Sequence, residues 1–333
     1  MSYKLIRTGL FLLPPERAHW LALEALTAAN RAGLRLNRDL VLASDGVECL
    51  GLRFPNRVGL AAGYDKSGDY LEALGSLGFG FIEIGTVTPR AQPGNAKPRL
   101  YRLPHQEALI NQMGSPNKGI AHAVSKIRHR QYRGIVGVNI GKNADTSLDD
   151  APKDYLEGYR AVRPHADYVT LNISSPNTAR LRELQETSHL RRVLLPLVAE
   201  RCQPGRNVPL LVKVSPDLED EHLDAIADVV VDIGVDGIIA TNTTTSRDGV
   251  PVTSAKWATG GVSGRPLHWR SIRTIKRLRK RLGGTFPVVG VGGIVSAGAA
   301  IETLEAGANL VQIYAGLVYH GPRLVRDVVD AIG

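Results

Sequence analysis

Tyr168–Asn177 reads YVTLNISSPN. Its first half alternates around the β-branched Val169, Thr170 and Ile173, the composition of a buried strand. Its second half is a polar burst, Asn172, Ser174, Ser175, Pro176 and Asn177, where a loop should begin. Packing gives no reason to gather two amides and two hydroxyls at the end of a strand. A parallel barrel does, because its chemistry is kept at the C-terminal ends of its strands.

Seven more strands are expected around this one: Val58–Ala62, Phe81–Val87, Ile135–Ile140, Leu210–Val214, Gly237–Thr241, Val288–Val291 and Leu310–Tyr314. Amphipathic segments such as Leu190–Glu200, Glu221–Ile233 and Trp269–Leu282 lie between them. Strands alternating with helices imply a parallel sheet, and eight such units imply closure into a (β/α)8 TIM barrel, an α/β fold. An open doubly wound sheet is the alternative, but it does not usually reach eight regular units without a second domain. The 333 residues leave room for a barrel of roughly 250 and an N-terminal extension. Cys49–Phe54, a Pro55-Asn56 turn and Arg57–Leu60 read as a hairpin leading into the first barrel strand. Thr88–Lys118, rich in proline, is too long for a plain loop and should be an ordered excursion over the barrel mouth. Ser174–Gln185 has the length of a lid.

Residues 1–40 stand apart from residues 41–333, which hold the barrel. Leu5, Ile6 and Leu10–Leu13 form an apolar patch, Pro14-Pro15 interrupt it, and Trp20, Leu21, Leu23 and Leu26 follow at helical spacing. Pro15 suits a helix start. The run is too short and too broken for a secretory signal. It reads as a helical hairpin, either packed on its own domain or lying as an amphipathic foot on anionic lipid. Periodicity does not choose between these.

Lys and Arg number 41 against 32 Asp and Glu, a net charge of +9, which favours an anionic partner: phosphate, nucleic acid or lipid. Arg270–Leu282, RSIRTIKRLRKRL, puts Ile272, Ile275, Leu278 and Leu282 on one face. It reads as the solvated side of a barrel helix before it reads as a nucleic-acid stripe. Cys49 and Cys202 lack metal-ligand spacing, so neither a metal site nor a disulfide framework is expected, and a reducing compartment fits. No run of 18 apolar residues offers a membrane span.

Chemistry-bearing residues collect at the strand ends. Gly292-Gly293 after the seventh strand, with Gly264 in the preceding loop, suit a phosphate, which barrels bind there through backbone N–H groups. Lys213 lies inside the apolar run LLVKV. Burying a lysine costs several kcal/mol unless an acceptor meets it. It is either a structural ion pair with an Asp or Glu, or a cation beside an anionic cofactor such as a reduced flavin. Lys66 suits a related part near the substrate, although as an Asp-Lys loop residue it reads more readily than Lys213 as mere surface. Asn111, Asn172, Asn177 and Asn242 each offer a donor and an acceptor, which suits the edge of a flat cyclic imide.

Taken together, Pro15–His19 (PERAH), Gly59–Lys66 (GLAAGYDK), Ile82–Arg90 (IEIGTVTPR), Gln92–Asn95 with Lys97–Leu100, Val138–Asn143 (VNIGKN), Asn172–Thr178 (NISSPNT), Ala240–Thr244 (ATNTT), Gly260–Leu267 (GGVSGRPL) and Gly290–Ile294 (GVGGI) resemble dihydroorotate dehydrogenases. The resemblance is to their membrane-associated, quinone-using branch and covers nearly the whole chain. It implies FMN-dependent oxidation of (S)-dihydroorotate to orotate in de novo pyrimidine biosynthesis, with electrons passed to a membrane quinone. It further implies FMN contacts at Ala62, Gly63, Thr86, Asn139, Asn172, Lys213, Thr241, Gly264, Gly293, Tyr314 and Ala315. Dihydroorotate contacts are implied at Lys66, Asn111, Gly114, Asn172, Asn177, Asn242 and Thr243, with Gln112, Met113 and Ser115 in the same pocket loop. Ser175 matches the family's catalytic base, and His19 and Arg102 match residues at the mouth of its quinone tunnel. The hairpin then becomes the foot of a peripheral protein on the cytoplasmic face of a bacterial cell membrane.

The chain departs from the pattern at Asn111–Asn117, NQMGSPN, where the quinone branch usually reads Asn-Arg-Met-Gly-Phe-Asn-Asn. Tyr64 and Ala315 stand where leucine and a hydroxyl residue are usual. A paralogue acting on another dihydropyrimidine-like ring or cyclic amide is the alternative these changes raise. A flavin barrel acting on RNA would be basic too, but it should carry an appended RNA-binding domain; no nucleic-acid partner is expected.

Overall fold

Parallel strands wrapped by helices meet no water on either face, so they are short and apolar throughout. Val58, Leu60, Ile82, Ile84, Val136, Val138, Leu210 and Val212 are all fully buried. A computed structural model describes residues 3–34, 37, 40, 46–251 and 257–332. Two helices come first, α1 (Tyr3–Phe11) and α2 (Pro15–Arg31), with Pro15 in the first turn of α2 as expected. A hairpin of β1 (Val47–Cys49) and β2 (Leu52–Phe54) follows, then β3 (Val58–Leu60) and α3 (Leu71–Gly75). The chain continues through β4 (Phe81–Val87), β5 (Leu100–Leu103), β6 (Ala108–Asn111), α4 (Ile120–Arg128), β7 (Ile135–Ile140) and α5 (Ala151–Val162). Next are β8 (Tyr168–Asn172), α6 (Thr187–Arg201), β9 (Leu210–Val214), α7 (Asp220–Ile233), β10 (Gly237–Ala240) and β11 (Gly261–Gly264). It ends with α8 (His268–Leu282), β12 (Val288–Val291), α9 (Ala297–Glu305), β13 (Leu310–Ile313), α10 (Ala315–His320) and α11 (Pro322–Ile332).

The barrel closes through β3, β4, β7, β8, β9, β10, β12 and β13, every pair parallel. These are the eight expected strands, and the fold is a TIM barrel. The hairpin before it is displaced from expectation. Its turn is at Leu50-Gly51, with φ of 56° and 67°, the doubly left-handed geometry of a tight two-residue loop. Asn56, assigned to the turn, instead accepts the N–H groups of Val58 (3.0 Å) and Gly80 (3.2 Å), pinning the entry to β3.

Side chains alternate along a strand, so one residue in two points into the barrel. The lower interior is apolar: Phe81, Tyr168, Leu211, Ile239, Val289 and Leu310 form one cluster. Phe54 of β2 plugs the bottom, edge-to-face with Phe81 at 5.2 Å. Two residues further along the same strands the character changes to Glu83, Thr170, Lys213 and Gln312. The floor of the barrel is therefore packed and its upper layer is chemically equipped.

Thr88–Lys118 does cross the mouth, and it contains β5 and β6. Together with β11 these form a three-stranded antiparallel sheet in which Asn111 pairs with Gly261. That sheet brings the loop after Asn111 against the Gly260–Leu267 motif. On the outside, Arg273, Arg277 and Arg281 of α8 meet Asp220, Asp224 and Asp228 of α7, rung by rung. The basic stripe is thus partly neutralised by its neighbour. Among the described residues no helix is long and apolar enough to cross a membrane.

Candidate active site

At the C-terminal mouth of the barrel a cleft is lined from every strand end. Along its glycine-rich side lie Ala62, Gly63, Thr241, Gly264, Gly293, Tyr314 and Ala315. Gly293 has a φ of 77°, and a Cβ there would strike the backbone of His268; at Gly264, φ 93°, it would strike Glu107. Both positions admit only glycine, which lets the backbone approach a ligand closely, as phosphate binding through N–H groups requires. Ser296 caps the helix beyond, its Oγ accepting from the Ala299 N–H at 3.2 Å.

Thr86, Asn139, Asn172 and Lys213 line the cleft floor. Register puts Asn172 beside Lys213. Burial holds the Lys213 ammonium below its ordinary pKa, partly offset by Glu83. Lys213 forms no ion pair or hydrogen bond to any described residue. The structural ion pair weighed for it is therefore absent among them, and a buried cation faces the cleft.

Glu83 is the functional residue that sequence reasoning missed. It is fully buried and accepts from Asn139 Nδ2 (2.9 Å), Tyr168 OH (3.0 Å), Thr170 Oγ1 (3.2 Å) and Gln312 Nε2 (3.0 Å). A carboxylate only accepts, so it dictates direction up the chain. Asn139 donates to Glu83, Thr86 Oγ1 donates to Asn139 Oδ1 (2.6 Å), and Asn172 Nδ2 donates to Thr86 Oγ1 (2.7 Å). Asn242 Nδ2 then donates to Asn172 Oδ1 at 3.1 Å. Four strand ends are locked by one polarised relay. Gln312 Oε1 is buried beside the cleft without a partner among the described residues, an acceptor that would suit a ligand's N–H.

Across the cleft are Asn111, Met113, Gly114, Ser115, Ser175, Asn177, Asn242 and Thr243. Asn177 Nδ2 donates to Asn111 Oδ1 (2.7 Å), tying the two substrate-side loops together. Ser175 is 9% exposed, and its Oγ accepts the Asn177 N–H at 3.3 Å. Gly114 and Ser115 both have positive φ, 66° and 52°, and Gln92 Nε2 holds both their carbonyls. Gln112 alone of the expected residues turns away: its amide donates to Thr259 O (3.1 Å) and Oγ1 (2.9 Å).

Lys66 is not a surface residue. Its ammonium donates to the Gly63 carbonyl, and burial pushes it down to about 8 against the pull of Glu16 and with the push of Arg99. It lines both the cleft and a second, more apolar cavity of about 510 Å³ beneath α1 and α2. Leu100, Leu109, Met113 and Tyr314 also belong to both, so the two spaces share a wall. His19 and Arg102 line the second cavity. His19 Nε2 bonds the Tyr64 carbonyl at 2.9 Å, so it carries the proton; burial, aided by Lys66, pushes the ring down to about 4. Arg102 lies 4.4 Å from the Phe11 ring centroid and donates to the carbonyls of Leu10, Phe11 and Leu13. No cluster of metal ligands occurs among the described residues.

Fold and site define an α/β barrel protein with a phosphate-ready, amide-lined cleft backed by an apolar antechamber. The family model for dihydroorotate dehydrogenase matches residues 45–333, and the chain belongs to that family. Over 331 residues it is 52% identical to a dihydroorotate dehydrogenase (quinone) of Marinomonas sp. (strain MWYL1), covering 98% of this chain and 96% of the relative. To the protein of the same name from Marinobacter nauticus it is 47% identical over 334 residues, covering 99% and 98%. Its backbone superposes with a TM-score of 0.86 on the crystal structure of DHODH from Eimeria tenella in complex with ferulenol, at 35% identity, covering 98% and 93%.

Proposed function

We propose that this chain oxidises (S)-dihydroorotate to orotate, with FMN as its cofactor and a quinone as the electron acceptor, as a step in making pyrimidines. One observation carries this reading: buried Lys213, with no ion pair or hydrogen bond to any described residue, shares with Ser175 and five asparagines one cleft that has a wall in common with an apolar cavity. The names of the curated relatives support this substrate over a retuned ring. When bound, FMN would supply hydride acceptance from C6 and onward transfer of the electrons.

The residues that fit FMN are Gly264, Gly293 and Ala315, whose backbone would meet its phosphate, with Lys213 and the Gln312 acceptor for its polar ring edge. Ala62, Gly63, Thr86, Asn139, Asn172, Thr241 and Tyr314 complete that half. Asn111, Asn177, Asn242 and Thr243 would grip the imide edge of dihydroorotate, and Lys66 its carboxylate. Ser175 Oγ would take the C5 proton. Its one hydrogen bond among the described residues, received from the Asn177 N–H, fixes the hydroxyl while burial limits competing water. Residues 1–40 form the quinone-facing segment in this reading, a peripheral membrane foot at the cytoplasmic face, and residues 41–333 the FMN barrel. His19 and Arg102 would guard the tunnel.

The test is anaerobic mixing of the purified yellow protein with L-dihydroorotate while flavin absorbance is followed. Rapid bleaching, reversed on adding quinone, is the expected result; a flavin that stays oxidised sinks the reading.

A further inference from the structure

Tyr64 follows Gly63 in the loop after β3 and lines the apolar cavity. Its ring is clamped edge-on between His19, with centroids 4.8 Å apart, and Tyr314, at 5.5 Å. Its carbonyl takes the His19 Nε2–H. The side chain is thus held from two sides and through the backbone, yet its hydroxyl bonds to no described residue. The neighbouring polar groups are engaged. Tyr3 OH donates to Val318 O (2.8 Å), Tyr70 OH to Glu24 (2.8 Å), and Arg102 to three carbonyls of the α1–α2 turn region. Burial, with Tyr3 and Tyr314 close by, keeps the phenol protonated.

An ordered donor with nothing to donate to marks where a ligand's acceptor belongs. Leu10, Ala18, Leu23 and Val318 supply apolar wall to the same cavity, which charged groups such as Glu16, Lys66 and Arg99 also line. Tyr314, against which Tyr64 packs, belongs to the shared wall. A ligand for this place is a flat apolar ring with an oxygen acceptor on its edge.

We propose that the Tyr64 hydroxyl donates a hydrogen bond to one carbonyl oxygen of the quinone head, selecting the edge presented to the shared wall; this rests on the function proposed above. The phenol gives a bond and keeps its proton. That bond strengthens as charge builds on the oxygen during reduction.

Tyr64→Phe removes only the oxygen and leaves both ring contacts. In the full-length holoenzyme, the KM for a short-chain benzoquinone and its calorimetric Kd should both rise about three- to ten-fold, the worth of one such bond. Flavin reduction by dihydroorotate, followed without quinone, should be unchanged. Tyr64→Leu, which also removes the ring, should weaken quinone binding further. Unaltered KM and Kd in Tyr64→Phe overturn the inference. Because the calorimetric titration needs no dihydroorotate, it judges Tyr64 even if that acid fails to bleach the flavin, an outcome that would sink the function reading alone.

Discussion

In the proposed reaction Ser175 removes a carbon-bound proton; among the described residues its hydroxyl has one hydrogen-bond partner, the Asn177 N–H. Ser175→Ala should keep its flavin and yet be bleached by dihydroorotate about 10²–10⁴ times more slowly in stopped flow, the usual worth of a positioned base. A normal rate would remove Ser175 from that role. Lys66 makes a pH-dependent prediction. Its folded pKa of about 8 lies below the ordinary lysine value, so free enzyme loses this cation as pH rises through 8. Since kcat/KM reports the free enzyme, it should fall above pH 8. The bound substrate carboxylate pulls the lysine back up, so kcat should persist to higher pH. A flat kcat/KM across that range, or an identical profile in Lys66→Met, counts against the assignment.

Among the elements, the loop carrying Ser175 is held down by Arg182. Its guanidinium donates to Ser174 O (3.1 Å), Thr243 O (3.0 Å) and Asp217 (2.9 Å), joining loops from the fourth, fifth and sixth barrel strands. Leu181 and Leu184 are buried beneath it. The expected lid is therefore latched rather than loose. Arg182→Ala should lower kcat about ten-fold and reduce thermal stability by about 1–3 kcal/mol, since buried carbonyls lose their donor. Flavin content should be unaffected, and Arg182→Lys should recover only part of the loss because it lacks the planar fork. Equal kcat in wild type and Arg182→Ala would show that the latch is not needed for turnover.

For the whole molecule, the distribution of exposed apolar groups matters most. Leu5 on α1 is 65% exposed, Trp20 on α2 59%, and Leu12, in the turn joining the two helices over the cavity, 85%. With a net charge of +9, this is the pattern that the proposed foot on anionic lipid requires. Leu5 and Leu12 do not line the cavity, so Leu5→Asp/Leu12→Asp isolates membrane contact from quinone binding. The double variant should sediment several-fold less with anionic vesicles while reducing detergent-dispersed quinone normally. Unchanged sedimentation would mean that this face does not dock.

Local periodicity decided the eight strands and the start of α2, because burial on both faces and proline geometry act within a few residues. The strand-end asparagines, Ser175 and the glycines were legible for the same reason: polar groups or Gly-Gly directly after an apolar run. Lys213 stands out inside LLVKV, and Glu83 inside FIEIGTV carries the same signal of a charge in an apolar run. What meets Glu83 could not be read, since Gln312 is 229 residues away. Pairing of β6 with β11 turned Gln112 toward Thr259, and the loop after β3 folded Lys66 inward. Those outcomes depend on register and through-space contact between distant segments, and only the closed barrel supplies that information. The same holds for the bare hydroxyl of Tyr64: its presence is a matter of sequence, and its lack of a partner is a matter of where every other chain segment comes to rest.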